Sequence, residues 1–114
     1  MNLPTFSTTT RWLFALRGSR GEFGFLTVTP TPVEGLVWAC LCVAEDQTRP
    51  YVSRRPLPVS KLPALARGIG LGERIVAARA VPADPTVESP DLIGLMIEDA
   101  RALDLRDELP RTIH

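Results

Sequence analysis

The chain has 114 residues, 45% hydrophobic and 23% charged, with 13 Lys+Arg against 13 Asp+Glu and a formal charge of zero. That length fits one domain burying about two-thirds of its unfolded surface, enough for a core without disulfides or a structural metal. The balance excludes a disordered chain, a coiled coil, a collagen-like repeat and a strongly basic nucleic-acid protein.

The zero is a sum of unlike parts. Residues 1–80 hold ten bases and five acids, whereas residues 81–114 hold three bases and eight acids. All bases but Lys61 are arginines. With abundant Ala, Pro and Val, this usage reads first as the codon bias of a bacterial or phage genome rich in G and C. Its second reading is anion recognition by the planar guanidinium. Residues 1–5 lack the basic and then apolar pattern of a secretory signal. The longest apolar stretch, 36–44, is about half a membrane span. The expectation is a cytoplasmic protein without membrane contact.

In chain order, residues 1–9 form an irregular lead-in to a single domain covering 1–114. Residues 10–17 and 22–29 are β-rich and flank the turn signal Gly18-Ser19-Arg20-Gly21. A four-residue loop pairs Arg17 with Glu22, Leu16 with Phe23 and Phe14 with Phe25. Trp12, Phe14, Leu16, Phe23 and Phe25 then share one face, with Leu13, Leu26 and Val28 on the other. Pro30 and Pro32 end the second strand. The third, 35–44, places Leu36, Trp38, Cys40 and Cys42 on one face and Val37, Ala39, Leu41 and Val43 on the other, so it is central and covered twice. Residues 50–57 form a fourth strand, which Pro50, Pro56 and Pro58 confine to an edge.

A short helix over 61–67 has Ser60 as its N-cap, and Gly68, Gly70 and Gly72 stop it. Residues 73–81 form a fifth strand. Ser89-Pro90-Asp91 then starts a helix whose inward face is Ile93, Met96, Ile97, Ala100 and Leu103, before a tail at 105–114. The order β-β-β-β-α-β-α defines an α+β domain with a curved, mainly antiparallel sheet of about five strands packed by a C-terminal helix; the alternative is a half-barrel. Such a sheet is about 24 Å wide and a helix about 10 Å. One long and one short helix leave apolar surface uncovered, which points to self-association as a homodimer or larger assembly, or to a protein partner.

Four constellations carry candidate chemistry. Trp12, Phe14, Phe23, Phe25 and Trp38 are candidate interface anchors, or else the domain core. Arg49, Tyr51, Arg54 and Arg55 are the densest basic–aromatic cluster, suited to an anion, a nucleic acid or an acidic protein surface, or to a protected sheet edge. Asp104, Asp107 and Glu108 form a candidate acidic docking segment. Cys40 and Cys42 place two thiols on one strand face, donors that suit Cu(I) or zinc. A structural zinc needs four ligands, and the only histidine is the last residue, His114. No third ligand is nameable, so the expectation is two buried cysteines, no metal and no cofactor.

Gly68-x-Gly70-x-Gly72 follows a helix and precedes a strand, the reverse of a phosphate loop. No Ser–His or Cys–His arrangement assembles, and the carboxylates Glu22, Glu34, Glu45, Asp46 and Glu73 fall at turns or strand ends, so the inventory weighs against an enzyme. The leading functional expectation is a small intracellular regulator, inhibitor, immunity-type protein or assembly subunit, binding a protein through an apolar sheet face and charged rims. Nucleic-acid or phosphate-ligand binding through the Arg/Tyr edge patch is the second reading. A small-molecule enzyme or ligand pocket within a curled sheet is the third.

Overall fold

A computed structural model describes the backbone of residues 1–43 and 46–103, and the side chains of all of these except 46–49. Six strands form one antiparallel sheet: β1 (Thr10–Arg17), β2 (Phe23–Pro30), β3 (Leu36–Val43), β4 (Asp46–Val52), β5 (Leu57–Pro58) and β6 (Arg74–Pro82). The order across it is β4-β3-β2-β1-β6, and the two-residue β5 also pairs with β3. Two helices, α1 (Leu62–Gly68) and α2 (Leu92–Ala102), pack on opposite faces. The architecture is the expected α+β domain, and its sheet is not closed into a barrel.

The β1–β2 register differs from the sequence reading by one residue. Arg17 pairs with Phe23, Leu16 with Gly24 and Phe14 with Leu26. The turn has three residues, Ser19 to Gly21, closed by Gly18 N–H donating to the Glu22 carbonyl at 2.7 Å and Gly21 N–H to the Gly18 carbonyl at 3.1 Å. Gly21 sits at φ +85°, the left-handed position that completes a type I turn with a glycine bulge. Because side chains alternate with a period of two, one residue of slip turns all of β2 over.

The five expected anchors therefore do not share a face. Trp12, Phe14 and Leu16 face α1 with Leu26, Val28, Val37, Ala39 and Leu41. Phe23 and Phe25 face α2 with Leu13, Ala15, Cys40 and Cys42, and Trp38 packs against that layer. The faces of β3 are as read from the sequence, and every residue of the middle strand β2 is buried.

The α1 layer holds a T-shaped Phe6–Phe14 pair and a stacked Trp12–Phe14 pair with ring centroids 5.5 Å apart. Met1, Leu3 and Phe6 from the irregular N-terminal segment fill the area that short α1 leaves open. The chain thus packs both faces of the middle strands itself, whereas β6 at the edge has no buried residue.

Both helix starts differ from expectation. Ser60 lies in a 3-10 turn, Val59–Lys61, and Lys61 occupies the N-cap position of α1 without a side-chain hydrogen bond. At α2 the cap is Asp91, whose carboxylate accepts Gly94 N–H at 3.1 Å, while Ser89 is at φ +49°. The end of α1 follows the glycine signal. Gly70, at φ +85°, donates to Arg67, and Leu71 N–H reaches back to the Ala66 carbonyl at 2.8 Å. This is a Schellman closure whose apolar contact, Leu71 with Ala66, lies in the core.

The inward face of α2 is Leu92, Met96 and Asp99. Ile93 and Ile97, expected inside, are each 41% exposed. The rotation has an electrostatic cause. Asp99, 5% exposed at its side chain, receives Arg11 Nε at 2.8 Å and Arg11 Nη2 at 2.9 Å, a two-point pair joining β1 to α2. The hydrogen bond to Asp99 raises the pKa of Arg11 above its ordinary value against the opposing effect of burial.

Breaking a buried pair strands a charge, whereas replacing both partners does not. Asp99→Ala should lower unfolding free energy by about 3–5 kcal/mol in urea titrations, and Arg11→Met/Asp99→Leu by clearly less. Equal losses in the two variants would contradict an energetic role for the pair.

Candidate functional site

The basic cluster becomes a groove at the sheet edge because β3 holds the chain at two points. Ser53 N–H donates to the Ala39 carbonyl at 2.9 Å, and its buried Oγ accepts Ala39 N–H at 2.9 Å. Four residues later, Leu57 pairs with Val37. Between these anchors Arg54, Arg55 and Pro56 stand opposite Trp38 alone, so they bulge away from the sheet, and both arginines are exposed.

A groove of about 590 Å³ results, lined by Tyr51, Arg54, Arg55, Leu57, Lys61 and Leu65 among others. Among the described residues, no carboxylate lines it. Arg54, Arg55 and Lys61 form no ion pair with any described residue. Tyr51 is 43% exposed at its edge. The structure thus brings together Tyr51, Arg54 and Arg55 from the expected cluster; Arg49 lies on β4, with its side chain outside the described residues. Sequence reasoning missed Lys61, because the 3-10 turn that swings it beside Arg54 and Arg55 carries no local signal.

The remaining candidates are dispersed. Phe14, Phe23 and Phe25 are interior side chains, and Trp12 and Trp38 are half-buried on opposite faces. Asp104, Asp107 and Glu108 lie outside the described residues. Among the described residues, Glu22 is bound to its own turn, accepting Arg20 N–H at 3.1 Å. No helix among the described residues is long and apolar enough to cross a membrane.

Beneath α2, the thiols of Cys40 and Cys42 each lie 3.7 Å from Met96 Sδ. Burial is the main cause raising both thiol pKa values. Cys40, beside Cys42, is pushed from 9.0 up to about 12, and a backbone hydrogen bond from Phe25 offsets part of the rise at Cys42. Both cysteines are free. Met96 was foreseen on an inward helix face, but nothing in a separation of more than fifty residues shows that it meets the two thiols.

No protein-family model matches the chain, and neither a curated protein nor a solved structure matches it.

The raised thiol pKa has a measurable sign. Thiolate is the reactive form, so at pH 8 native Cys40 should react with an aromatic disulfide reagent roughly a thousand-fold more slowly than the unfolded chain. Unfolding free energy should also fall as pH climbs from about 9 toward 12, since the unfolded thiols release protons that folded Cys40 retains. Rapid native labelling at the unfolded rate would contradict the burial of this pair.

Proposed function

We propose that the protein is a binding module, without chemistry of its own, that recognises an acidic segment of a partner protein through the groove formed by Tyr51, Arg54, Arg55 and Lys61. The observation that carries this reading is the gathering of three cations around one concavity lined, among the described residues, by no carboxylate. The two helices and the N-terminal segment pack the middle strands of the sheet, and the charged rim, exposed at Arg54, Arg55 and Lys61, stands outside that packing. Pro50, Pro56 and Pro58 withhold backbone donors along this edge, which favours side-chain recognition over strand addition. An acidic segment gains both charge and the apolar floor of Leu57 and Leu65. Two free thiols suit a reducing cytoplasm.

Exposed pairs of this kind contribute about 0.2–1 kcal/mol each and weaken with salt. Fluorescence anisotropy with a labelled Asp/Glu-rich peptide should show binding at low salt. Arg54→Ala/Arg55→Ala should weaken that binding several-fold, up to about thirty-fold. A single-stranded oligonucleotide of equal length serves as the comparison. Preference for the oligonucleotide, with a steep salt dependence, would transfer the groove to nucleic acid. Absence of peptide binding at low salt, or equal binding by the double variant, would overturn the proposal.

A further inference from the structure

Three sulfur atoms converge in the layer between the sheet and α2, away from the basic groove. Cys40 and Cys42 occupy alternate positions of β3 and face the same side, where α2 brings Met96 Sδ to 3.7 Å from each Sγ. We propose that Cys40, Cys42 and Met96 form a three-coordinate site for the soft monovalent ion Cu(I).

The donor set selects this ion. Thiolate and thioether are soft ligands, and together they favour Cu(I) over harder cations. Zinc asks for four ligands drawn from Cys, His and carboxylate. Among the described residues no group of three or more His, Cys, Asp or Glu side chains is placed to hold a metal. The two spacings to Met96 also fit. Metal–sulfur bonds of about 2.3 Å in a trigonal plane set neighbouring sulfurs about 4 Å apart, so each 3.7 Å contact needs to open by only a few tenths of an ångström.

Access and charge agree with the donor set. A groove of about 370 Å³, lined by Phe25, Cys42, Met96, Ile97, Ala100 and Arg101, leads from the surface to two of the three sulfurs. Without metal, both thiols donate to the Met96 thioether. Loading breaks two S–H bonds and forms two copper–thiolate bonds, while a Met96 lone pair makes the third and two protons pass to water. Supplied as Cu(I), the metal undergoes no change of oxidation state. The loaded site has a net charge of −1, and the Arg101 guanidinium at the groove supplies the opposite sign.

The test uses the whole chain under anaerobic conditions. Cu(I) is presented as its complex with a coloured chelator such as bicinchoninate. The protein should withdraw one equivalent, and X-ray absorption should show a first shell of sulfur alone, three atoms at about 2.3 Å. Met96→Leu keeps the volume of the side chain. It should remain folded by circular dichroism yet bind Cu(I) at least about ten-fold more weakly, with one sulfur lost from the shell. Cys42→Ala should withdraw none. Failure of the wild-type chain to compete with the chelator would overturn the site. So would nitrogen or oxygen in the first shell, or a folded Met96→Leu variant that binds as tightly as the wild type. The spectroscopic count of sulfurs decides the matter even if Cys42→Ala fails to fold.

Discussion

The three-residue turn at Ser19-Arg20-Gly21 fixes the register between β1 and β2, and the rest of the domain depends on that register. Both strands are apolar on their two faces, so hydrophobicity alone does not choose between pairings one residue apart. Gly21 chooses. At φ +85° it closes the turn with Glu22 opposite Gly18, which sends Phe14 toward α1 and Phe23 and Phe25 toward α2. Another residue at that position meets the steric cost of the left-handed region, about 1–2 kcal/mol. With the register set, β2 and β3 present matching layers, each large enough to need a helix.

The two layers are closed by different means. On the α1 side, closure is almost wholly apolar, by a seven-residue helix, residues of the N-terminal segment and the Leu71–Ala66 contact. On the α2 side, a buried ion pair anchors the helix to β1, and Cys40, Cys42 and Met96 pack beside it. Specificity follows from this difference. Apolar packing tolerates rotation of a helix about its axis, whereas a two-point Arg11–Asp99 contact fixes which residues point inward. Ile93 and Ile97 are left outside and Met96 is brought onto the thiols. The same pair partly answers the charge asymmetry, because one acid of the last third of the chain neutralises one base of the first. Arg54, Arg55 and Lys61 have no such internal acid among the described residues, so their charge stays at the surface of the groove.

Much of the fold was legible because strand alternation and turn residues are local. The faces of β3, the edge position of the proline-rich segment and the glycine stop after α1 all follow from neighbours within a few positions. What was not legible depends on remote contacts or on a single turn residue. Counting the first loop as four residues placed Phe23 and Phe25 beside Phe14, an error that pattern alone does not expose when both faces are apolar. The α2 face was misread because Asp99 counts as polar in any periodicity, and its burial is understood only with Arg11, 88 positions away. Tyr51, Arg54 and Arg55 were legible as a cluster by contiguity. Lys61 and Met96 were not, since tertiary packing alone carries them to their neighbours.

Through the β1–β2 register the chain partitions its aromatic and sulfur side chains into two separate layers. Nuclear Overhauser contacts in methyl- and aromatic-labelled protein test it most directly. Phe14 should contact Leu26, Leu62 and Ala66, while the Met96 methyl group should contact Phe25, Cys40 and Cys42, with no contact between Phe14 and Phe25. Strong Phe14–Phe25 contacts, together with the loss of those from Met96 to Phe25, would show the slipped register and rule out this partition.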